Sequence, residues 1–136
     1  MARAPESLVA KRLGVLPGDV VAVVSAPEGF RDSLTLPVGA RLRTSARGRV
    51  AVLLFFATRR AELARRLPAM ARAVERDGGL WIAWPRRTSG VASDLSEAQV
   101  GEIGRVHGLA VAGIVPIGDG WSGVRLVRRV RSRAVS

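Results

Sequence analysis

The sequence contains no cysteine, and that absence removes several classes at once. A disulfide scaffold, a thiol nucleophile, an iron–sulfur cluster and every cysteine-built zinc site all need a residue that is not there. His107 is the only histidine, so a histidine-rich metal site is excluded as well. No apolar run approaches the roughly 20 residues that span a bilayer, and the first residues lack the apolar core of a signal peptide. A cytoplasmic chain with no membrane partner is expected. Aromatic residues are sparse, three Trp and three Phe. Acids are outnumbered, with Asp+Glu 11 against Lys+Arg 22 and a net charge of +11, and every base except Lys11 is an arginine.

What is present suffices for one folded unit. A chain of 136 residues, 48% of them apolar, can bury a real core but has no room for two ordinary domains. Residues 1–128 read as a single α/β domain and 129–136 as a basic tail. Residues 5–13 read as a helix opened by Pro5 and closed at Gly14. Val20 to Val24 is a short β-branched run suited to a strand buried on both faces. Ala26-Pro27-Glu28-Gly29 breaks it, and residues 30–35 form a short helix before Pro37. Arg41-Leu42-Arg43-Thr44 alternates like a strand at a sheet edge, its charges discouraging pairing with another chain.

Val50 to Phe56 is a second apolar strand. Over 59–76, Leu63, Leu67, Met70, Ala71 and Val74 fall on one helical stripe. Pro68 interrupts that stripe, so the helix either kinks there or a second one begins. Asp77-Gly78-Gly79 ends the helix, and Leu80 to Pro85 is a third apolar strand. After a long loop to Leu95, Ser96 and Gln99 make a capping box for a helix that stops at Gly108. Leu109 to Ile117 and Val124 to Val127 are the last strands, turned antiparallel by Gly118-Asp119-Gly120. Apolar strands alternating with amphipathic helices give a Rossmann-like, doubly wound, mostly parallel sheet with helices on both faces and a C-terminal hairpin. Whether the exposed hairpin supports a dimer is left open by the sequence.

Ser25-Ala26-Pro27-Glu28-Gly29-Phe30, Trp84-Pro85-Arg86-Arg87-Thr88-Ser89-Gly90, Ser93-Asp94-Leu95 and Trp121-Ser122-Gly123 carry a resemblance. With them the chain resembles a family of small bacterial proteins filed as a domain of unknown function. The resemblance implies a Rossmann-like fold of class I methyltransferase type, but no reaction. The passage from Val50 to Pro85 and the closing hairpin look like the second half of that fold. At the chemistry the likeness ends. Methyltransferases of this class carry an acid and a glycine-rich turn after the first strand, where this chain has Val24-Ser25-Ala26-Pro27-Glu28-Gly29. They end the second strand in an acid that holds the ribose, where this chain offers Arg41, Arg43 and Thr44. A degenerate relative of the methyltransferases is therefore one reading. No cofactor is expected.

Ligands of doubly wound sheets bind beyond the carboxyl ends of the strands. The residues delivered there are Ser25 and Glu28, then Thr58, then Trp84, Arg86, Arg87 and Ser89. Two arginines beside hydroxyls and a tryptophan suit a phosphate or carboxylate attached to a flat ring. The plainer account packs Trp84 and Pro85 at the sheet edge and leaves both arginines solvated. Glu28 is the natural general base, or else a cap on the following helix. Asp94 reads as a cap two residues ahead of Ser96, and His107 as a favourable charge in the last helical turn. No catalytic residue is assigned, and the reading leans away from an enzyme. The alternative partner is nucleic acid bound without sequence specificity, through Arg41 and Arg43 with Arg47 and Arg49, and through Arg125, Arg128, Arg129, Arg131 and Arg133. No recognition motif supports it, and the near-replacement of lysine by arginine points to coding bias.

Overall fold

The computed structural model describes residues 7–118 and 120–129. Six strands form one sheet in the order β2-β1-β3-β4-β6-β5. They are β1 (Val20–Val24), β2 (Arg41–Arg43), β3 (Val50–Phe56), β4 (Val74–Pro85), β5 (Leu109–Pro116) and β6 (Trp121–Arg128). The first four are mutually parallel, and β6 runs antiparallel between β4 and β5. The expected mostly parallel sheet with a closing hairpin is present. Pro5, Asp119, Arg131 and Arg133, each singled out by the sequence, lie outside the described residues.

Helix α1 (Leu8–Leu13) lies on one face, and α2 (Arg60–Ala73) and α3 (Glu97–Val106) lie on the other. Alternation along the strands explains the division, because successive side chains point to opposite faces. Ala22, Leu53, Phe55, Leu80 and Ile82 meet Leu63, Leu67 and Met70 of α2 and Val100 of α3. Val21, Val23, Leu54, Phe56 and Trp81 meet Leu13 and Val15, together with Phe30. No long helix covers this second face between β1 and β2. The connection makes only a single 3-10 turn, Arg31–Ser33, where the sequence suggested a short helix over 30–35.

Several local expectations change in detail. Helix α1 is capped by Ser7, whose hydroxyl accepts from Ala10 N, and ends at Gly14 in the left-handed conformation. Helix α2 passes through Pro68 as one element and ends at Ala73, before the Asp77-Gly78-Gly79 turn expected to stop it. The chain enters β4 at Val74, which pairs with Val50; pairing then resumes at Gly79 with Val52. Residues 75–78 bulge out between those two points. Gly78 is required there because a Cβ would stand 2.3 Å from the Ala51 carbonyl oxygen. The capping box at Ser96 does not engage the backbone, since the Ser96 hydroxyl donates to the Gln99 side-chain oxygen. Both sheet edges are visible: β2 is fully exposed and flanked by arginines, while β5 carries no charge and is broken by a bulge between Val111 and Gly113.

Candidate functional site at the carboxyl ends of the strands

The connection leaving β1 crosses one face toward the β2 edge, and the one leaving β3 crosses the other through α2. The ends of β1 and β3 therefore diverge, which makes the crevice between them the topological switch point of the sheet. Val24 and Phe55 are paired at its floor. Immediately beyond, Ser25 adopts φ +60, the one non-glycine residue among those described with a positive φ. A serine held in that region stores roughly 1–3 kcal/mol of strain.

Arg31 follows in the 3-10 turn. Its Nη2 donates to the Val23 carbonyl at 3.0 Å, while its Nε is buried and has no partner. The Val23 carbonyl lies one residue past the last β1–β2 pair, Ala22 with Arg43, so Arg31 occupies the place where β2 has already ended. The anchored guanidinium has donors to spare. No sequence signal marked this arginine, because its significance depends on where β2 stops.

The loop after β4 closes over the end of β3. Ser93 Oγ and the Asp94 backbone N–H both donate to the Thr58 carbonyl, at 2.9 and 3.1 Å. The Asp94 carboxylate accepts from Arg60 N at 2.7 Å and lies 3.9 Å from Arg60 Nε. Asp94 is thus a cap, as the sequence suggested, but of α2 rather than of α3. The partner is far along the chain, so local spacing could not reveal it.

The remaining sequence candidates separate. Trp84 is 6% exposed and packs in the core on the α2/α3 face, and β4 is an interior strand, so neither the stacking role nor a sheet-edge position holds for it. Arg86 and Arg87 are exposed on the rim, and the Arg86 backbone N–H donates to the Gly120 carbonyl at 2.8 Å. The Ser89 hydroxyl accepts from Val91 N at 3.2 Å and so serves its own loop. Glu28 is exposed and caps no helix; the 3-10 turn begins at Phe30 without a side-chain cap. His107 is exposed at the C-cap of α3. Above the floor, Phe56 meets Phe30 edge-on at 4.8 Å and Trp121 at 5.0 Å. This aromatic row, with Phe30 8% and Phe56 3% exposed, fills one side of the crevice.

The arginines of the alternative reading that lie among the described residues fall into two groups. Arg41 and Arg43 lie on β2 and Arg125 and Arg128 on β6, four strand spacings apart, about 19 Å. Arg43 donates to the Arg47 carbonyl and Arg128 to the Ala71 carbonyl, while Arg129 is exposed beyond β6.

Residues 10–130 match one family along nearly the whole chain. The chain belongs to the family described as protein of unknown function DUF3052. No curated protein matches it. Solved structures share its fold. A SAM-dependent methyltransferase from Aquifex aeolicus superposes with a TM-score of 0.60 at 18% identity, covering 88% of this chain and 87% of the other. Magnesium protoporphyrin IX methyltransferase from Synechocystis PCC 6803, with bound SAH, gives 0.59 at 14% identity over 89% and 80%. Aeropyrum pernix fibrillarin, with natively bound S-adenosyl-L-methionine, gives 0.58 at 12% over 88% and 73%. At such identities the likeness establishes a methyltransferase-like fold and says nothing of the chemistry.

The residues of this DUF3052 chain do not fit adenosylmethionine. A cofactor cradle uses glycines whose missing Cβ lets the backbone approach the ligand. The loop after β1 has one glycine, Gly29, where such a cradle is glycine-rich. The loop is instead stiffened by Pro27 and bent at Ser25. Strand β2 ends on exposed arginines where a ribose would need a carboxylate.

Proposed function

We propose that the chain is a non-catalytic member of the methyltransferase-like fold that holds a small anionic ligand, a phosphate or a carboxylate, at the carboxyl end of β1, on the side where β2 has ended. Arg31 is the principal contact, Ser25 supplies a hydroxyl, and Arg86 and Arg87 add positive potential from the rim. One observation carries this reading: a guanidinium fixed by the Val23 carbonyl, two residues before the strained Ser25, with a buried Nε lacking any partner. Charge-assisted hydrogen bonds to an oxyanion are about twice as strong as neutral ones, and a buried donor left unpaired is costly. Strained residues concentrate where they serve a ligand. Catalysis lacks support because Glu28, the acid in the loop after β1, is exposed and has no partner among the described residues.

The test is a thermal-shift series at fixed low salt with inorganic phosphate, acetate and nucleoside monophosphates. A ligand at 100 times its dissociation constant stabilises by about 2.7 kcal/mol, several degrees for a domain of this size. The shift should vanish in Arg31→Gln and shrink in the Arg86→Ala, Arg87→Ala double variant. Equal shifts in all three proteins would refute the site.

A further inference from the structure

The sheet ends on two unlike edges. Along β2, Arg41 and Arg43 stand exposed, and charge on an edge strand discourages pairing with another chain. The edge at β5 has no such guard. From Leu109 to Gly118 the chain carries no ionisable side chain, although 24% of the whole sequence is charged. Pro116, which cannot donate, closes the strand rather than interrupting it. β5 pairs with β6 alone, so the backbone groups of its outer side meet no strand among the described residues.

The bulge in β5 decides which side chains this edge presents. Val111 stands opposite Leu126 and Ile114 opposite Val124, and both partners belong to the core on the α2/α3 face. Directly opposed residues share a face, so Val111 and Ile114 both lie on the α3 side, which unbroken alternation would forbid for residues three apart. They are 38% and 52% exposed. Beside them, between α3 and β5, runs an open groove of about 830 Å³. Ala98 and Gly101 keep it wide, since a Cβ on Gly101 would already touch Val111 at 3.6 Å. Its charges are sorted along the helix. Glu97 and Glu102 line the groove toward the α3 N-terminus. Arg105 and Arg129 line its other end, where the Arg129 backbone N–H donates to the Gly108 carbonyl. All four charged residues are exposed.

We propose that this edge joins a second copy of the chain in a two-fold dimer, with the β5 strands antiparallel and the two α3 helices side by side on one face. A two-fold axis between Ala112 and Gly113 sets Val111 of each copy opposite Ile114 of the other. Each Ile114 then enters the groove that Ala98 and Gly101 leave open on its neighbour. The same axis reverses the helix direction, so the acidic half of one groove faces the basic half of the other. A second copy fits better than an unrelated partner because both the apolar pair and the order of charges match themselves when reversed. A chain of net charge +11 repels its own kind, and only an uncharged strand flanked by compensating charges lets two copies meet. The edge lies four strand spacings from β1, so the anion site takes no part.

The experiment is sedimentation equilibrium of the full chain at physiological salt, from low micromolar to several hundred micromolar protein. A monomer–dimer equilibrium is expected. Ile114→Lys, at an exposed position, should weaken it by at least about tenfold, whereas Leu42→Lys on the guarded edge should leave it unchanged. Two double variants test the arrangement of charges. Glu97→Arg with Glu102→Arg makes the groove wholly basic, and Arg105→Glu with Arg129→Glu makes it wholly acidic. Each alone should dimerise more weakly than the parent, and an equimolar mixture should form mixed dimers, with folding checked by circular dichroism. A parent chain that stays monomeric at the highest concentration overturns the proposal. So does a dimer indifferent to Ile114→Lys, or a mixture of the charge variants that associates no better than either alone.

Discussion

Replacing Ser25 by glycine should make the protein more stable. Ser25 sits at φ +60 on the surface at the end of β1, where it buries little. A non-glycine residue there costs roughly 1–3 kcal/mol, and glycine removes that cost. Against this, glycine has more conformational freedom to lose on folding, roughly 0.5–1 kcal/mol. The net expectation is a gain of about 1 kcal/mol, or a rise of about 3–5 °C in melting temperature for a domain of this size. Ser25→Ala is the control, because it removes the hydroxyl and keeps the strain; its stability should stay within about 0.5 kcal/mol of the parent. Both variants should bind the anion at the end of β1 more weakly. Urea unfolding at constant m-value gives the free energies directly. A glycine variant equal to or less stable than the parent would refute the claim that strain is stored at Ser25.

Three further outcomes follow from named contacts. Asp94→Ala removes the side chain that caps the α2 N-terminus and should cost about 1 kcal/mol in urea unfolding, with Asp94→Asn losing less. Gly78→Ala forces a Cβ against the Ala51 carbonyl and should destabilise by about 1–3 kcal/mol or more, measured the same way, whereas Gly29→Ala lacks any clash and costs only its backbone strain. Duplex DNA should bind only weakly, with affinity falling steeply between about 50 and 200 mM salt in fluorescence anisotropy, since the arginine groups on β2 and β6 stand four strands apart and no recognition motif joins them.

The strand pattern was legible because each strand has the composition its place demands. Val20–Val24 and Val50–Phe56 are interior strands covered on both faces and read as continuous apolar runs, whereas Arg41–Arg43 lies at an edge and alternates with charge. The short connection between β5 and β6 forces them antiparallel. The departures come from contacts that no local window contains. Helix α2 ends before Val74 because that residue pairs with Val50, and the glycines expected to stop it belong to the bulge that follows. Trp84, beside two arginines in sequence, alternates into the core while they emerge on the rim. Asp94 looked like a cap for the nearest helix, yet loop closure over Thr58 carries it to α2. Arg31 escaped notice altogether, since it matters through a register that only the folded sheet defines.

The central claim is that this methyltransferase-like fold holds an anion, rather than adenosylmethionine, at the carboxyl end of β1. Its most direct test is a side-by-side titration of adenosylmethionine and inorganic phosphate against the parent chain and Arg31→Gln, read by calorimetry at low salt. The account predicts saturable phosphate binding that Arg31→Gln abolishes, and no heat from adenosylmethionine at millimolar concentration. Saturable binding of adenosylmethionine, or phosphate binding indifferent to Arg31, would contradict it.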